Sequence, residues 1–333
     1  MAIPTRPTTP VPDVQARPPA VALGLSRVGV TGVEKVIRLQ QNGAEQLFSA
    51  RFECVVDLGP NQKGAHMSRF EEVINEAIGE VVLNETAFKV ETLAEHIAQL
   101  VRDRQHAQRA EVSVEARFPE HKLAPVSGIQ TQELYTLHGS AVASELGTRR
   151  LTGVTAQGIT ACPCAQELVA GAARERLAGE GFDTEEIDRI LDAVPVATHN
   201  QRGLGTLRIG CTESCHDEID AATLLEIVEQ SMSSEIYELM KRSDEVAVVE
   251  KAHRRPRFVE DCVREMIRGV VDAFPGLDDG AFVSAHQLNL ETIHQHNVVA
   301  ERFGTLGEIR RELATGIPAV EHTSRRAWLD GAA

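Results

Sequence analysis

The chain has 333 residues, a formal net charge of −15 and a hydrophobic content of 42%. A chain of this length can bury a large core and could hold two modules. The acidic balance argues against nucleic acid or a membrane as a partner bound by bulk electrostatics, although a local cluster of Lys and Arg can still bind an anionic substrate.

The first part of the chain combines strand and helix patterns. Residues 1–20 hold six of the fourteen prolines and predict a disordered or extended lead-in. Ser68 and Glu71 have the spacing of a capping box at the start of a helix, and a second helix is predicted to start near Thr92. Three segments have the alternating or extended pattern of strands: 47–58, 110–118 and 123–142.

The second part of the chain repeats this order loosely. Strand patterns occur at 206–211 and 281–288. Asp220 is a candidate N-cap of one helix, and Pro256 fits the first turn of another. The charged tail after Phe303 is predicted to be partly helical and to form a surface or interface helix.

These elements together predict an antiparallel α+β fold with helices on one face of the sheet. The similar order of the two parts suggests an internal duplication of architecture. Each part alone would leave its sheet edges open. The predicted organisation is a lead-in (1–20), a first module (21–150), a second module (151–315) with a helical insertion at 166–194, and a C-terminal tail (316–333).

Two cysteines one residue apart, Cys162 and Cys164, flank a proline and directly precede a helical pattern. The free N–H groups and the dipole of a helix N-terminus favour a thiolate over a thiol. Two buried small side chains are the alternative interpretation. The six cysteines have no framework spacing, and no signal peptide or long apolar run is evident, so we expect reduced thiols in a cytoplasmic protein.

Several motifs in this sequence together resemble the type IB GTP cyclohydrolases. The resemblance covers roughly residues 25–315 in family order, and the long segment between Cys164 and His199 is most similar to the archaeal branch, which feeds methanopterin synthesis. The motifs are NQKGAHMSRF (61–70), CPCAQEL (162–168), THNQRG (198–203), SSEIYELMKRSDE (233–245), FVEDCVREM (258–266) and ETIHQHN (291–297).

This resemblance implies a fold, an assembly and a reaction. The fold would be tandem tunnelling-fold (T-fold) modules whose sheets join across subunits into a barrel, in a homotetramer or homodimer. The reaction would be hydrolysis of GTP at C8 with release of formate, which gives a 7,8-dihydroneopterin phosphate for folate or methanopterin-type pterins. The product could be a triphosphate or a 2′,3′-cyclic phosphate, and the sequence leaves this choice open.

The resemblance also implies one divalent metal ion per subunit. Its ligands would be Cys162 and His199, with Glu245 and His294 as further candidates. A thiolate, imidazoles and a carboxylate form a mixed set that suits Fe²⁺, Zn²⁺ or Mn²⁺ and does not choose among them. Taken singly, His294 could be an ordinary polar residue near other histidines, and Glu245 could belong to a solvated turn.

Further residues receive roles by the same resemblance. Cys162, Cys164, Glu291 and His294 are the candidate catalytic residues, with their separate roles in proton transfer left open. Glu260 would accept hydrogen bonds from the N1–H and 2-amino groups of guanine. The candidate phosphate-binding residues are basic or hydroxyl side chains from two motifs: Lys63, His66, Ser68, Arg69, Lys241 and Arg242.

A non-hydrolytic protein of the same fold is the alternative function. It would bind a purine or pterin, or reduce a deazapurine nitrile with an active thiol. The reductase would need a nicotinamide cofactor, and the sequence has no Gly-rich dinucleotide fingerprint, which is weak evidence against it.

Overall fold

The computed structural model describes residues 13–41, 44–80, 89–212 and 219–331. Its strands form one antiparallel sheet in the order β1-β2-β3-β4-β5-β6-β8-β9, with the two-residue β7 paired to β5. The strands are β1 Leu25–Gln41, β2 Ala44–Leu58, β3 Ala110–Leu123, β4 Gln130–Ser144, β5 Gly147–Ala161, β6 Asn200–Cys211, β7 Ser234–Glu235, β8 Phe282–Leu290 and β9 Val298–Thr305.

The helices lie mainly between strand pairs. The order strand, strand, helix, helix, strand, strand occurs in β1–β4 and again in β5–β9, where one strand, β7, and three helices, α3, α4 and α6, are added. The antiparallel α+β class is therefore confirmed. The helices are α1 Met67–Glu80, α2 Val90–Gln105, α3 Pro163–Gly179, α4 Thr184–Ala193, α5 Ala221–Ser231, α6 Arg242–Arg254, α7 Val259–Ala273, α8 Leu306–Thr315 and α9 Arg325–Leu329.

One hydrophobic core runs under both halves of the sheet. Alternate side chains of the strands, such as Phe52 and Val112, point to the helix face because successive residues of a strand face opposite sides. The apolar stripe of α2, including Ile97, packs on the first half, and Met266 of α7 packs on the second half. The predicted module boundary at 150/151 falls inside β5, and β5 pairs directly with β4 of the first half. The division into modules stays a prediction.

Several elements differ from the prediction for identifiable reasons. Strand β1 escaped prediction because a register shift between Val30 and Val33 interrupts its alternation, at a point where Gly32 has a φ of +69°. Strand β9 and helix α6 were also missed. Helix α1 begins at Met67, so Ser68 lies within the helix and the predicted capping box is wrong. Helix α7 begins at Val259, so Pro256 precedes it and is not in its first turn.

Other predicted features agree with the structure. Asp220 caps α5, since its carboxylate accepts hydrogen bonds from the backbone N–H groups of Ala222 and Thr223. The predicted insertion at 166–194 holds most of α3 and all of α4, although α3 begins earlier, at Pro163. Residues 1–12 of the predicted lead-in lie outside the described residues, whereas the backbone oxygens of Gln15 and Arg17 accept hydrogen bonds from Lys63. Among the described residues, no helix is long and apolar enough to cross a membrane.

The C-terminal tail builds a second, smaller core on the sheet face away from the main helices. Trp328 is 1% exposed and packs with Phe282, Leu151 and Val142. Its indole N–H donates to the carbonyl oxygen of Gly280 at 2.8 Å. A Cβ atom at Gly210 would lie 2.7 Å from the ring, so only glycine leaves room for the indole there. Helix α9 was not predicted from the sequence, and it is packed against the sheet through the buried side chains of Trp328 and Leu329.

We expect Trp328→Ala to lower the free energy of unfolding by about 3–5 kcal/mol, because it removes the centre of this second core and leaves a cavity. The matched control is Val320→Ala on the same tail, where the side chain is fully exposed and the change should stay within about 0.5 kcal/mol. Denaturant unfolding followed by circular dichroism measures both. Equal stability of Trp328→Ala and the wild type would contradict a structural role for the tail.

Candidate active site

The ends of β5 and β6 bring Cys162 and His199 together. Ala161 and Asn200 are the last paired residues of the two antiparallel strands, so the next residue of each chain segment lies directly beyond the ladder. The backbone N–H of Cys162 donates to the carbonyl oxygen of His199 at 3.1 Å. Thr198 closes the same junction, since its hydroxyl donates to the carbonyl oxygen of Cys162 at 2.7 Å. These backbone contacts make the two predicted ligands neighbours.

Cys162 is also the N-cap residue of α3. Its backbone is extended, and its sulfur accepts a hydrogen bond from the N–H of Ala165 at 3.5 Å. Pro163 occupies the first helical position, where its fixed φ and missing N–H cost nothing. Cys164 follows at the second position and is exposed. The predicted helix start is therefore confirmed, and both thiols lie at a helix N-terminus.

The amide of Gln166 anchors this helix start. It donates to the carbonyl oxygens of Val196 and His253, at 2.9 and 2.6 Å. The apolar residues of α3 do not pack against the rest of the described chain, because none of the α3 side chains is buried and Leu168 is 71% exposed. The first turn of α3 is fixed, while its apolar side chains remain accessible.

Two polar side chains surround the His199 ring. Its Nδ1 lies 3.1 Å from Oε1 of Gln201 and 3.8 Å from Oε2 of Glu291. The amide of Gln201 donates to Oε1 of Glu291 at 3.2 Å. Glu291 follows the end of β8, and because Leu290 pairs with Arg202, it lies beside Gln201. Sequence reasoning missed Gln201, although its position two residues after His199 in a strand puts both side chains on one face.

The start of α7 lies next to the same junction. The backbone N–H of Arg257 donates to the carbonyl oxygen of Ala161 at 2.9 Å. Glu260 is the second residue of α7 and is exposed, so its carboxylate is accessible at this end of the sheet. Asp261 completes the helix cap, since it accepts from the N–H of Phe258 at 3.1 Å. The structure therefore assigns the capping contact to Asp261 and leaves Glu260 without that role.

Glu245 lies in the first turn of α6, which is fixed by its buried neighbour Asp244. The Asp244 carboxylate accepts from the backbone of Val126 and Ser127 and from the Ser127 hydroxyl. Burial by itself raises the pKa of Asp244, but these hydrogen bonds and one from Lys241 outweigh it and hold the pKa well below its ordinary range. Lys241, Arg242 and Glu245 are exposed around this anchor.

His294 lies in the loop between β8 and β9 and is exposed, with its ring stacked on His296 at a centroid distance of 5.0 Å. In the part of the chain that the structure describes, no three His, Cys, Asp or Glu side chains form a group that could hold a metal ion. One chain therefore brings Cys162 and His199 together and does not add Glu245 or His294 to them. A thiolate beside an imidazole is a donor pair that suits a borderline divalent ion, so the two residues fit part of a metal site.

The loop with Lys63 and His66, together with Ser68 and Arg69 in the first turn of α1, lies at the opposite end of the sheet. It follows the end of β2, which pairs with the beginning of β1 and the beginning of β3. A twelve-residue strand such as β6 spans about 40 Å, so the two ends of the sheet are far apart. One chain therefore does not bring this loop to Cys162. His66 contacts the carboxylate of Asp13 at 3.3 Å, and Arg69 donates to the carbonyl oxygen of Arg104.

The thiols of Cys162 and Cys164 are more accessible than those of Cys54 and Cys262. Burial raises the pKa of both Cys54 and Cys262 to about 12, because a thiolate is poorly solvated in an apolar core. Cys211 is buried as well. The sixth cysteine, Cys215, lies outside the described residues.

We expect iodoacetamide to modify Cys164 in the folded protein at least about tenfold faster than Cys54 or Cys262, because only the thiolate reacts and only Cys164 among these three is exposed. Peptide mass mapping after timed quenching measures the three rates. A sample unfolded in urea is the control and should lose the difference. Equal rates at the three positions in the folded protein would contradict the prediction.

Comparisons with known proteins agree with the motifs. Residues 11–300 match the family model for type I GTP cyclohydrolase folE2. A protein named GTP cyclohydrolase MptA from Methanothermobacter thermautotrophicus is 41% identical over 308 residues, which cover 91% of this chain and 96% of that protein. The protein of the same name from Methanocaldococcus jannaschii is 42% identical over 307 residues, covering 90% and 97%.

Solved structures support the fold alone. Uricase from Arthrobacter globiformis has a TM-score of 0.52 and covers 86% of this chain and 95% of its own, at 8% sequence identity. The TM-score supports a similar, T-fold-like fold, and at 8% sequence identity the match is no evidence on function. The family match spans most of the chain, and the relatives above are archaeal, in agreement with the branch that the sequence resembles. The chain therefore belongs to the type I GTP cyclohydrolase family.

Proposed function

We propose that this chain catalyses the GTP cyclohydrolase reaction, in which GTP is hydrolysed at C8 of guanine and formate is released. The product would be a 7,8-dihydroneopterin phosphate, for pterins of the methanopterin or folate type. The observation that carries the proposal is the junction of β5 and β6, where Cys162 and His199 are neighbours. Glu291 lies next to His199 there and accepts a hydrogen bond from Gln201. Family membership supports this reaction class.

Cys162 and His199 would hold one divalent metal ion per subunit, Fe²⁺, Zn²⁺ or Mn²⁺. Because Nδ1 of His199 faces Gln201 and Glu291, Nε2 is the ring atom that remains for a ligand. When bound, such an ion supplies Lewis-acid chemistry that makes water nucleophilic near neutral pH. Within the described part of one chain, Glu245 and His294 do not form a group with Cys162 and His199. In this proposal they would nevertheless complete the ligand set.

The remaining residues would bind GTP and move protons. Cys164 is exposed beside Cys162 at the helix N-terminus, where it can exchange a proton with the reacting C8 region. Glu291 is almost fully buried and accepts a hydrogen bond from Gln201, so it can hold negative charge next to His199. Glu260 has no helix-capping role and can accept both N–H groups of the guanine edge.

A complete site in this proposal needs a second copy of the chain. The phosphate-binding candidates Lys63, His66, Ser68 and Arg69 lie at the opposite end of the sheet from Cys162, so a neighbouring subunit would supply them. Strands β1 and β9 each pair on one side only within the described residues. Strand β1 has 17 residues and β9 has 8, and open sheet edges favour pairing with another chain. These edges support tandem modules joined into a barrel in a homodimer or homotetramer.

The proposed function is tested with pure protein, GTP and Fe²⁺, Mn²⁺ or Zn²⁺ under anaerobic conditions. We expect formate release and a fluorescent pterin after oxidation with at least one of the metals, and product mass separates a triphosphate from a cyclic phosphate. Cys162→Ala and His199→Ala should lose bound metal and formate release together while keeping the circular dichroism spectrum of the wild type.

The matched control for this test is Cys54→Ala, which changes a buried cysteine of the first half of the sheet and should keep its metal. Elemental analysis of the purified proteins measures the metal content of all variants. No formate with any of the three metals would overturn the proposed reaction. Full metal content and a normal rate in Cys162→Ala would overturn the ligand assignment.

We expect Glu260→Gln to weaken GTP binding by at least about tenfold, or about 1.4 kcal/mol. The new amide places a donor opposite a guanine donor, and buried polar groups without partners are costly. The variant should also discriminate less between GTP and ITP, which lacks the 2-amino group. Equilibrium binding of both nucleotides to both proteins measures this.

Asp261→Asn is the neighbouring control for Glu260→Gln, since Asp261 caps the helix through the backbone of Phe258. It should affect stability and leave the ratio of GTP to ITP affinity unchanged. An unchanged ratio in Glu260→Gln as well would mean that the guanine anchor lies elsewhere.

A further inference from the structure

Three side chains beyond the pairing of β5 with β6 form a short hydrogen-bonded chain: His199, Gln201 and Glu291. The Nδ1 atom of His199 lies 3.1 Å from Oε1 of Gln201, and Nε2 of Gln201 lies 3.2 Å from Oε1 of Glu291. All three are well shielded, since Gln201 is 7% exposed and the side chains of His199 and Glu291 are 14% and 6% exposed. Hydrogen bonds in such surroundings are stronger than in water.

The donors and acceptors of these three side chains favour one arrangement of their hydrogen bonds. A carboxylate only accepts hydrogen bonds, so the group of Gln201 that faces Glu291 is its NH₂. The amide oxygen of Gln201 then faces His199. An amide oxygen also only accepts, so Nδ1 of His199 is the protonated ring nitrogen. The opposite amide orientation would place an oxygen against the carboxylate of Glu291 and is therefore disfavoured.

We propose that Gln201 is a positioning residue that, held by Glu291, fixes His199 in the Nδ1-protonated tautomer and leaves the Nε2 lone pair free as a metal ligand. The proposal deepens the proposed function and rests on it for the metal. An acceptor on Nδ1–H sets the orientation of the ring and raises the basicity of Nε2, as partners of metal-bound histidines generally do.

Among the described residues of β6 and β8, Gln201 has the side-chain acceptor that lies within hydrogen-bond distance of Nδ1 of His199. The next residues on the same face of β6 are Gly203 and Gly205, which have no side chain to offer. On β8, the amide nitrogen of Gln287 donates to Oδ1 of Asn289 at 3.0 Å, so the amide group of Gln287 is directed to Asn289. Gln287 is a second buried glutamine on the same face of the sheet, without a recorded contact to His199, and serves as the matched control.

The first test measures metal affinity by competition with a chromophoric chelator. We expect Gln201→Leu to bind Zn²⁺ about 10–100-fold more weakly than the wild type. Gln201→Glu should recover most of the affinity, because it keeps an acceptor for Nδ1–H and can share a proton with Glu291. Gln287→Leu should bind as the wild type does. Wild-type affinity in Gln201→Leu, or an equal loss in Gln287→Leu, would overturn the proposal.

The second test needs neither metal nor activity. Nitrogen-15 NMR of the metal-free wild type, with labelled histidine and the His199 signal assigned by its loss in His199→Ala, reports the tautomer directly. We expect protonation at Nδ1 in the wild type and in Gln287→Leu, and a mixture in Gln201→Leu. Protonation at Nε2 in the wild type would overturn the proposal even if Gln201→Leu failed to fold.

These two tests separate this inference from the proposed function. A wild type that binds no metal and releases no formate would defeat the proposed function, and the NMR measurement would still decide the tautomer. Conversely, formate release with a wild-type His199 protonated at Nε2 would support the reaction and reject the role of Gln201.

Discussion

The antiparallel register between β5 and β6 is the constraint on which the candidate site depends. Because Ala161 pairs with Asn200, the two residues that leave the ladder, Cys162 and His199, are held together by a backbone hydrogen bond. The same sheet places Glu291 beside Gln201 through the pairing of β6 with β8. A shift of one residue in either pairing would turn these side chains to the other face of the sheet. The backbone hydrogen bonds of the sheet therefore set the relative positions of the site residues.

The site is built around this register by local sequence chemistry. Pro163 begins α3 immediately after the strand, so Cys162 becomes the N-cap and both thiols face a positive helix end. Gln166 ties that helix start to Val196 and His253. The predicted metal ligands Cys162 and His199 therefore lie directly beyond two paired strands, whereas Glu245 and His294 are exposed on a helix start and a loop. Fixed elements hold ligand geometry better than loops do.

The sheet also explains why one chain offers only part of a site. All strand ends that carry Cys162, His199 and Glu291 lie at one end of the sheet, and the loop from Lys63 to Arg69 lies at the other. The two outermost strands are long and pair on one side only within the described residues. Association of several chains, as proposed, would both complete the site and pair the open edges. This agreement between chemistry and sheet geometry supports the proposed oligomer.

Much of the fold could be predicted from the sequence where burial alone sets the pattern. Clean alternation predicted β2 and the first part of β3, and apolar stripes predicted α2 and α7. The prediction failed for β1, where a bulge at Gly32 breaks the period, and for α6, whose first turn is charged and depends on the buried Asp244. The burial of Trp328 was not predicted, because the sequence does not indicate which face of the sheet will lack helices.

The sequence by itself determined the family, through motifs that keep their order, and the thiol pair at a helix start, because proline and the following helical pattern are local signals. Only the tertiary structure decided that Gln201 contacts His199, that Asp261 and not Glu260 caps α7, and that the loop of Lys63 lies far from Cys162. The physical reason is that these relations depend on strand pairing between residues distant along the chain, and register is set by the packing of the whole sheet.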